Sequence, residues 1–423
     1  MIGETERAHI AAAKAYRPAG EPSGARRRLA DFITSFYARI RIAVPAGLAD
    51  RLADPSLPVI EMAHDGQLPH LGIVRSVLKA DEIAAATGGG CLYLIGNHYT
   101  SAMKPRNLHL GMPLRGVAPE KTKSPLRVSV GGASEDVPFK LLPAPSKEQL
   151  GDLEARAADY LTNNAAHERS RGTEVRDLGA VEARMAATFH VLRSTAGEVG
   201  SFGDWLIRVQ HDLLDAGRSL PSTLFAPFGD LHVPLRRELA AVMAREPDTI
   251  RLKASVSQGQ RERGEKPYAA LPVSSGWLAC PRCGNRARTE SLSTTAVRFK
   301  CPGCGQTAEG TLADFEDRFS PDIVLFELML FQAGIHGWVV GSRAAYHPVI
   351  EAAHRLILGG EMPPKFLLAS VPRFRGIGDP PDGYGRTRLV RALFESERDV
   401  LLSALRAPWA EDPALTSPHL DLP

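Results

Sequence analysis

Two Cys-x-x-Cys knuckles constrain this chain more than any other feature: Cys280-Pro281-Arg282-Cys283 and Cys301-Pro302-Gly303-Cys304. Four thiolates at this separation match the tetrahedral four-sulfur zinc pattern. Each knuckle is followed by a glycine, Gly284 or Gly305, where the backbone has to curl back around a metal. Between the knuckles, Thr295-Ala296-Val297-Arg298-Phe299-Lys300 alternates as a strand does. The pattern predicts a zinc ribbon over residues 273–312, with Cys280, Cys283, Cys301 and Cys304 holding a structural Zn2+. A pair of disulfides is the competing use of the four thiols. A closed four-Cys site keeps no open coordination position, so any chemistry has to be sought elsewhere.

A chain of 423 residues has room for two or three packed units. Its 44% hydrophobic and 23% charged residues are ordinary for a soluble globular protein, and a net charge of +3 forces no nucleic-acid footprint. The fifth cysteine, Cys91, lies between Gly90 and Leu92 and reads as a buried strand thiol. An odd cysteine beside an intact metal site favours a reducing compartment. The polar start of the chain and the lack of an apolar run near ~18 residues predict no membrane span, and the cytoplasm is the expected location.

Residues 1–56 read as a helical lead-in, with Leu29, Phe32, Ile33 and Phe36 on one helical face. Residues 57–145 hold a strand (Leu57–Ala63), a polar loop, a helix (Val74–Ile83), a glycine turn and a second strand (Cys91–Ile95) ending in Gly96-Asn97-His98-Tyr99. Strand, helix, strand is a right-handed βαβ unit with parallel pairing. Ligands of open α/β sheets sit at the carboxyl ends of strands, where both polar loops fall. The Pro/Gly-rich stretch 104–145 is expected to be irregular or a small β insertion. Residues 146–272 read as a helical insertion ending in a polar, mobile stretch at 255–267. Residues 313–423 supply a second half: helix Asp322–Ala333, strand Gly337–Ser342, helix His347–Leu358, strand Lys365–Val371 and a closing helix Leu389–Leu405. The two halves are expected to join in one parallel sheet.

The motif that carries chemistry is Pro69-His70-Leu71-Gly72, placed after a strand and ahead of a helix. A Pro-His-x-Gly in that context resembles the signature of class I nucleotidylyl-transferring domains, a HUP-type Rossmann-like fold. Residues 65–103 resemble the first half of the class I lysyl-tRNA synthetase catalytic domain. The residues that carry this are Gly66, Pro69-His70-Leu71-Gly72, Arg75-x-Val77-Leu78-x-Ala80-Asp81 and Asn97-His98-Tyr99, with Lys104-Pro105 beyond. That family also has a four-Cys ribbon in mid-chain, then an Asp-bearing helix and a Gly-containing strand end, here Asp322 and Gly341-Ser342. The resemblance covers residues 57–105 and 276–373.

It implies a ligase that uses ATP with Mg2+ to activate an amino acid or small carboxylate as an adenylate. His70 and Gly72 would hold the adenosine, with Gly66, Pro69, Gly341 and Ser342 completing the nucleotide side. Asn97, His98, Tyr99 and Asp322 would line the amino-acid side. The family's Lys-Met-Ser-Lys-Ser-type loop is absent. Arg373-Phe374-Arg375-Gly376-Ile377-Gly378 stands in its place, where Arg373 and Arg375 would stabilise pyrophosphate or form a solvated basic loop. Ile73 replaces a polar residue, and Asn97 and His98 replace an acidic pair. The stretch after the second half is too short for an anticodon-reading domain, so the expected acceptor is a small molecule, a carrier protein or a tRNA acceptor stem. Residues 63–80 and 332–372 also resemble the bacillithiol-type cysteine-adding ligases, through Lys79-Ala80, Gly341, Tyr346, Glu361-Met362-Pro363-Pro364 and Pro372-Arg373. That family has the same class of Rossmann domain. A third reading is a non-catalytic synthetase relic that binds RNA. His336 and His347, flanking the Gly341 strand end, and Trp205 and Trp277 read as packing residues.

Overall fold

The computed structural model describes residues 4–18, 22–66, 68–100, 136–172, 178–265, 267, 276–293, 296–311, 313–315, 318–340, 346–367 and 389–406. Helices α1 (Glu4–Ala15), α2 (Ser23–Arg39) and α3 (Leu48–Ala53) precede strand β1 (Val59–Asp65), and α4 (Leu71–Thr87) leads into β2 (Gly90–Gly96). A short 3-10 turn at Phe139–Leu141 comes before α5 (Lys147–Ser170), α6 (Leu178–Ser194), α7 (Phe202–Leu213) and α8 (Ala216–Ser219), which lead to β3 (Thr223–Pro227). Next are α9 (Arg236–Met243), α10 (Glu246–Glu262) and five strands: β4 (Gly276–Ala279), β5 (Arg286–Ser291), β6 (Ala296–Lys300), β7 (Thr307–Thr311) and β8 (Phe319–Pro321). The chain closes with α11 (Ile323–Gln332), β9 (Gly337–Val340), α12 (His347–Ile357), β10 (Lys365–Leu367), α13 (Leu389–Glu395) and α14 (Arg398–Arg406).

Two sheets result. One runs β10-β9-β1-β2-β3 with every pairing parallel. All seven residues of β2 are buried, as a near-continuous apolar run in a covered parallel sheet should be. Within this sheet the chain builds β1, β2 and β3 outward on one side, then returns to place β9 and β10 on the other side of β1. This is a Rossmann-like, doubly wound order, and the β1–β9 seam is its switch point, where such sheets open a crevice at their carboxyl edge. The second sheet, β7-β6-β5-β4-β8, is antiparallel and carries both Cys knuckles in its turns.

The structure departs from the sequence expectations in three places. The stretch expected to be wholly helical contributes β3, a buried edge strand. Its sequence, Thr-Leu-Phe-Ala-Pro, is short, lacks alternation and ends in a proline that only an edge position accepts. The polar segment expected to be mobile is the second half of α10. That helix buries Thr249, Lys253, Ser257 and Gln260, a polar stripe at helical spacing, so polarity there does not mean exposure. The closing helix is two helices, α13 and α14. The expected irregular stretch falls mostly on residues 101–135, outside the described residues.

Candidate functional site

Three strands of the parallel sheet end level: Asp65 is opposite Gly96, and Ile95 is opposite Pro227. Their exits therefore meet at one edge. β1 is buried over its first four residues and partly exposed over Ala63-His64-Asp65. Gly66 then passes so close to β2 that a Cβ there would lie 2.1 Å from the Gly96 carbonyl oxygen, which no side chain allows. His70 is the N-cap of α4 in extended conformation, and its carbonyl accepts the Ile73 and Val74 N–H groups at 2.9 and 3.1 Å. The His64 and His70 rings meet edge to face, centroids 6.3 Å apart. The Pro69 carbonyl accepts the Leu389 N–H at 2.9 Å and so anchors the start of α13. Gly72 lies in the first turn of α4.

At the ends of β2 and β3 a buried network ties the two exits together. Asn97, 1% exposed, donates Nδ2 to Asp230 Oδ2 at 2.8 Å and accepts the Gly229 N–H on Oδ1 at 2.8 Å. Lys140 Nζ binds Asp230 Oδ1 at 3.0 Å. Burial works against the Asp230 charge, but Lys140 prevails and holds its carboxyl below the usual range. His98 stacks on Phe228 with centroids 4.8 Å apart. Burial, then the nearby Lys140 and Arg286 charges, push it down to about 3, so it is a neutral imidazole at ordinary pH.

Tyr99 donates its hydroxyl hydrogen bond to Asp65. Burial and the carboxylate together raise the phenol well above its ordinary value. The antiparallel sheet reaches this same spot. The Arg286 N–H donates to the Asp136 carbonyl at 3.0 Å, just before the segment whose Phe139 N–H binds the Tyr99 carbonyl. The Arg286 guanidinium lies 3.6 Å from the Trp277 ring centroid, and burial lowers it to about 10 despite the favourable Asp136 and Tyr99 groups. The ribbon thus brings an arginine to the exit of β2.

Deeper along the β1–β9 seam lies an acidic pair. Glu61 of β1 and Glu327 of α11, 1% and 2% exposed, share a hydrogen bond. Burial pushes Glu61 up to about 8 and Glu327 well above the carboxylate range, so the pair retains a proton at neutral pH.

The four ribbon cysteines converge, all Sγ atoms within 4.8 Å of one another. Sγ separations of 3.6 Å (Cys280–Cys304) and 3.5 Å (Cys283–Cys301) are too long for disulfides. They approach the edge of about 3.8 Å of a tetrahedron with zinc–sulfur bonds of about 2.3 Å. Gly284 and Gly305 take φ of +75° and +72°, the left-handed turns each knuckle needs. The Gln306 N–H bond, with the neighbouring thiols, pulls Cys304 down to about 7. A metal such as zinc fits this cluster, whose four thiolates would leave it no open coordination position.

The structure therefore brings Gly66, Pro69, His70, Gly72 and Tyr99 to one edge. It gives Asn97 and His98 a supporting place beneath that edge. Asp322 caps α11, accepting the Leu325 N–H at 3.1 Å, and pairs with the buried Lys253. Gly341, Ser342, Arg373 and Arg375 lie outside the described residues. His336 binds the backbone of β1, its N–H donating to the Val59 carbonyl at 2.7 Å, and His347 packs on Trp338. Sequence reasoning missed Glu61, Asp65, Lys140, Asp230, Arg286 and Glu327. Two of these had a signal: Glu61 and Glu327 are the lone acids of apolar runs, Val59-Ile60-Glu61-Met62-Ala63 and Ile323–Phe331. No family model matches this chain, and no curated protein matches it at a significant level.

Proposed function

We propose that this protein binds ATP with Mg2+ at the carboxyl edge of its parallel sheet, a HUP-type Rossmann-like domain, and activates a carboxylate as an adenylate. One observation supports this above all. Pro69-His70-Leu71-Gly72 opens α4 directly after β1, the strand at which the sheet order reverses. A helix start there favours phosphate through its dipole and amide groups, and a glycine in its first turn leaves room for a nucleoside. Adenylate formation asks little covalent chemistry of a protein. It needs the carboxylate and the α-phosphate held in line and charge stabilised as pyrophosphate leaves.

In this reading His70 and Gly72 hold adenosine, and Arg373 and Arg375 take the pyrophosphate. The Asp65–Tyr99 pair faces the substrate, while Asn97 and His98 keep the exits of β2 and β3 rigid. The acceptor is a small molecule, a carrier protein or a tRNA acceptor stem. The test is amino-acid-dependent ATP–pyrophosphate exchange across the twenty amino acids. Exchange that vanishes in a folded His70→Ala variant is the expected outcome; no exchange with any of them rules out adenylation of those substrates.

A second reading, an RNA-binding relic, draws on the ribbon. Trp277 stands opposite Arg288 on the antiparallel sheet with Arg286 over its ring, an aromatic and basic pairing of the kind that holds single strands. RNA affinity that falls steeply with salt, in a protein with no exchange activity, would favour it.

A further inference from the structure

We propose that residues 136–140 are a strap through which the metal state of the ribbon controls the sheet edge, with Arg286 as its positioning residue. The coupling stands on the contacts of this strap; that the ligand it serves is ATP rests on the adenylation reading.

The strap is bonded to both sheets. Toward the parallel sheet it touches all three strand exits. After β1, Phe139 lies against Gly66, where a Cβ would be 3.1 Å from its ring. After β2, the Phe139 N–H donates to the Tyr99 carbonyl and the Lys140 N–H to the Asn97 carbonyl, each at 2.9 Å. After β3, Lys140 Nζ donates to the Gly229 carbonyl at 3.3 Å and to Asp230 Oδ1 at 3.0 Å.

Toward the ribbon it meets the first knuckle. The Arg286 N–H donates to the Asp136 carbonyl at 3.0 Å. Gly284, next to the ligand Cys283, packs on Val137, which is 7% exposed. The charges of Asp136 and Tyr99 favour the Arg286 guanidinium. The Phe319 carbonyl of β8 accepts Lys140 Nζ at 3.3 Å. The knuckle is closed on itself by the Gly284 N–H to the Cys280 carbonyl at 2.8 Å and the Cys280 N–H to the Asn285 carbonyl at 2.9 Å. Residues 284 and 286 therefore keep their places only while the knuckle is wound.

The strap has little order of its own. It holds the start of a three-residue 3-10 turn and one bridge, Pro138 to Thr100. Such turns are weak, and buried backbone groups must find partners outside them. Its place is thus set by what grips it on either side. A small metal ribbon folds only as its thiolates are gathered. A ligand that needs ordered exits then binds the metal-loaded chain better, and by linkage it tightens the metal by the same factor. The rival arrangement is a strap fixed by the parallel sheet whatever the ribbon does.

The experiment is hydrogen exchange on the full chain, zinc-loaded and after chelation. The Arg286 amide reports the ribbon-to-strap contact, and the Phe139 and Lys140 amides report the strap-to-sheet contact. We expect all three to lose protection on chelation by about tenfold or more, while Leu92 and Leu94 of β2 keep theirs. Zinc-loaded Arg286→Gln should release the Phe139 and Lys140 amides with the metal still bound. Arg286→Lys keeps a cation beside Asp136 and should recover most of the protection. These variants need no chelation, so they decide the matter even where the metal-free chain unfolds throughout. The proposal is overturned if the Phe139 and Lys140 amides stay protected when the ribbon melts, if they stay protected in Arg286→Gln, or if the ribbon is indifferent to chelator. ATP is then titrated into both forms; about tenfold weaker binding to the chelated chain, with zinc release slowed by ATP, is the expected coupling. ATP that binds both forms equally overturns control of the edge. ATP that binds neither form, with the strap released on chelation, sinks only the nucleotide reading.

Discussion

At the residue scale, the buried acid pair sets a pH dependence whose sign can be worked out. Glu61 is raised to about 8 in the folded chain, whereas an unfolded glutamate titrates near about 4.3. Between those values the folded state binds more protons than the unfolded one. Stability is then greatest at the acid end of the window and falls as pH rises through it. The loss should be on the order of a few kcal/mol between about pH 5 and 8. Glu61→Gln keeps the neutral form at every pH. We therefore expect it to weaken this dependence in chemical denaturation, and Glu61→Gln with Glu327→Gln to flatten it, because burial raises Glu327 as well. A slope unchanged in the double variant would mean that the pair is ionised in the folded protein. Nearby, Asn97 shows how a polar residue at a strand end can serve structure: both its amide atoms are occupied by Asp230 and Gly229.

At the element scale, α10 is tied to α11 by a buried ion pair. Lys253 is fully buried on it and pairs with Asp322, the residue that caps α11. Removing the cation strands a carboxylate at a helix start. Lys253→Met alone should cost about 3–5 kcal/mol, the typical penalty for breaking a buried pair. Lys253→Met with Asp322→Asn should cost clearly less, because no lone charge remains. Urea denaturation of the two variants and of Asp322→Asn measures the coupling. A double variant as unstable as the sum of the singles would show that the two residues act independently. The same stripe, with Thr249, Ser257 and Gln260, is why this helix is hard to find by apolar periodicity.

At the scale of the whole molecule, the two sheets depend on different things. β1 and β2 lie inside the parallel sheet, flanked on both sides, while the ribbon strands surround four thiols and a small apolar face that includes Val297 and Phe299. We expect hydrogen exchange to be slowest in β1 and β2. Chelation of the metal, or Cys301→Ser, should release protection across β4 to β7 first, with about one zinc per chain in the native protein. Equal protection of the ribbon with and without chelator would mean that its fold does not need the metal.

The sequence alone determined the parts whose cause is local. Cys-x-x-Cys spacing with a following glycine specifies a knuckle, since the ligands and the left-handed turn are neighbours in the chain. Apolar runs and a glycine turn specify β1, α4 and β2 for the same reason. Tertiary structure decided whatever depends on residues far apart. β3 joins the sheet only because β2 offers it an edge. Lys253 in the buried stripe of α10 has its counter-ion only in Asp322, 69 residues on, among the described residues. The ribbon brings Arg286 to Tyr99, and α11 lays Glu327 against Glu61. A side chain's charge and exposure are set by what packs against it, and the chain brings those partners together only on folding.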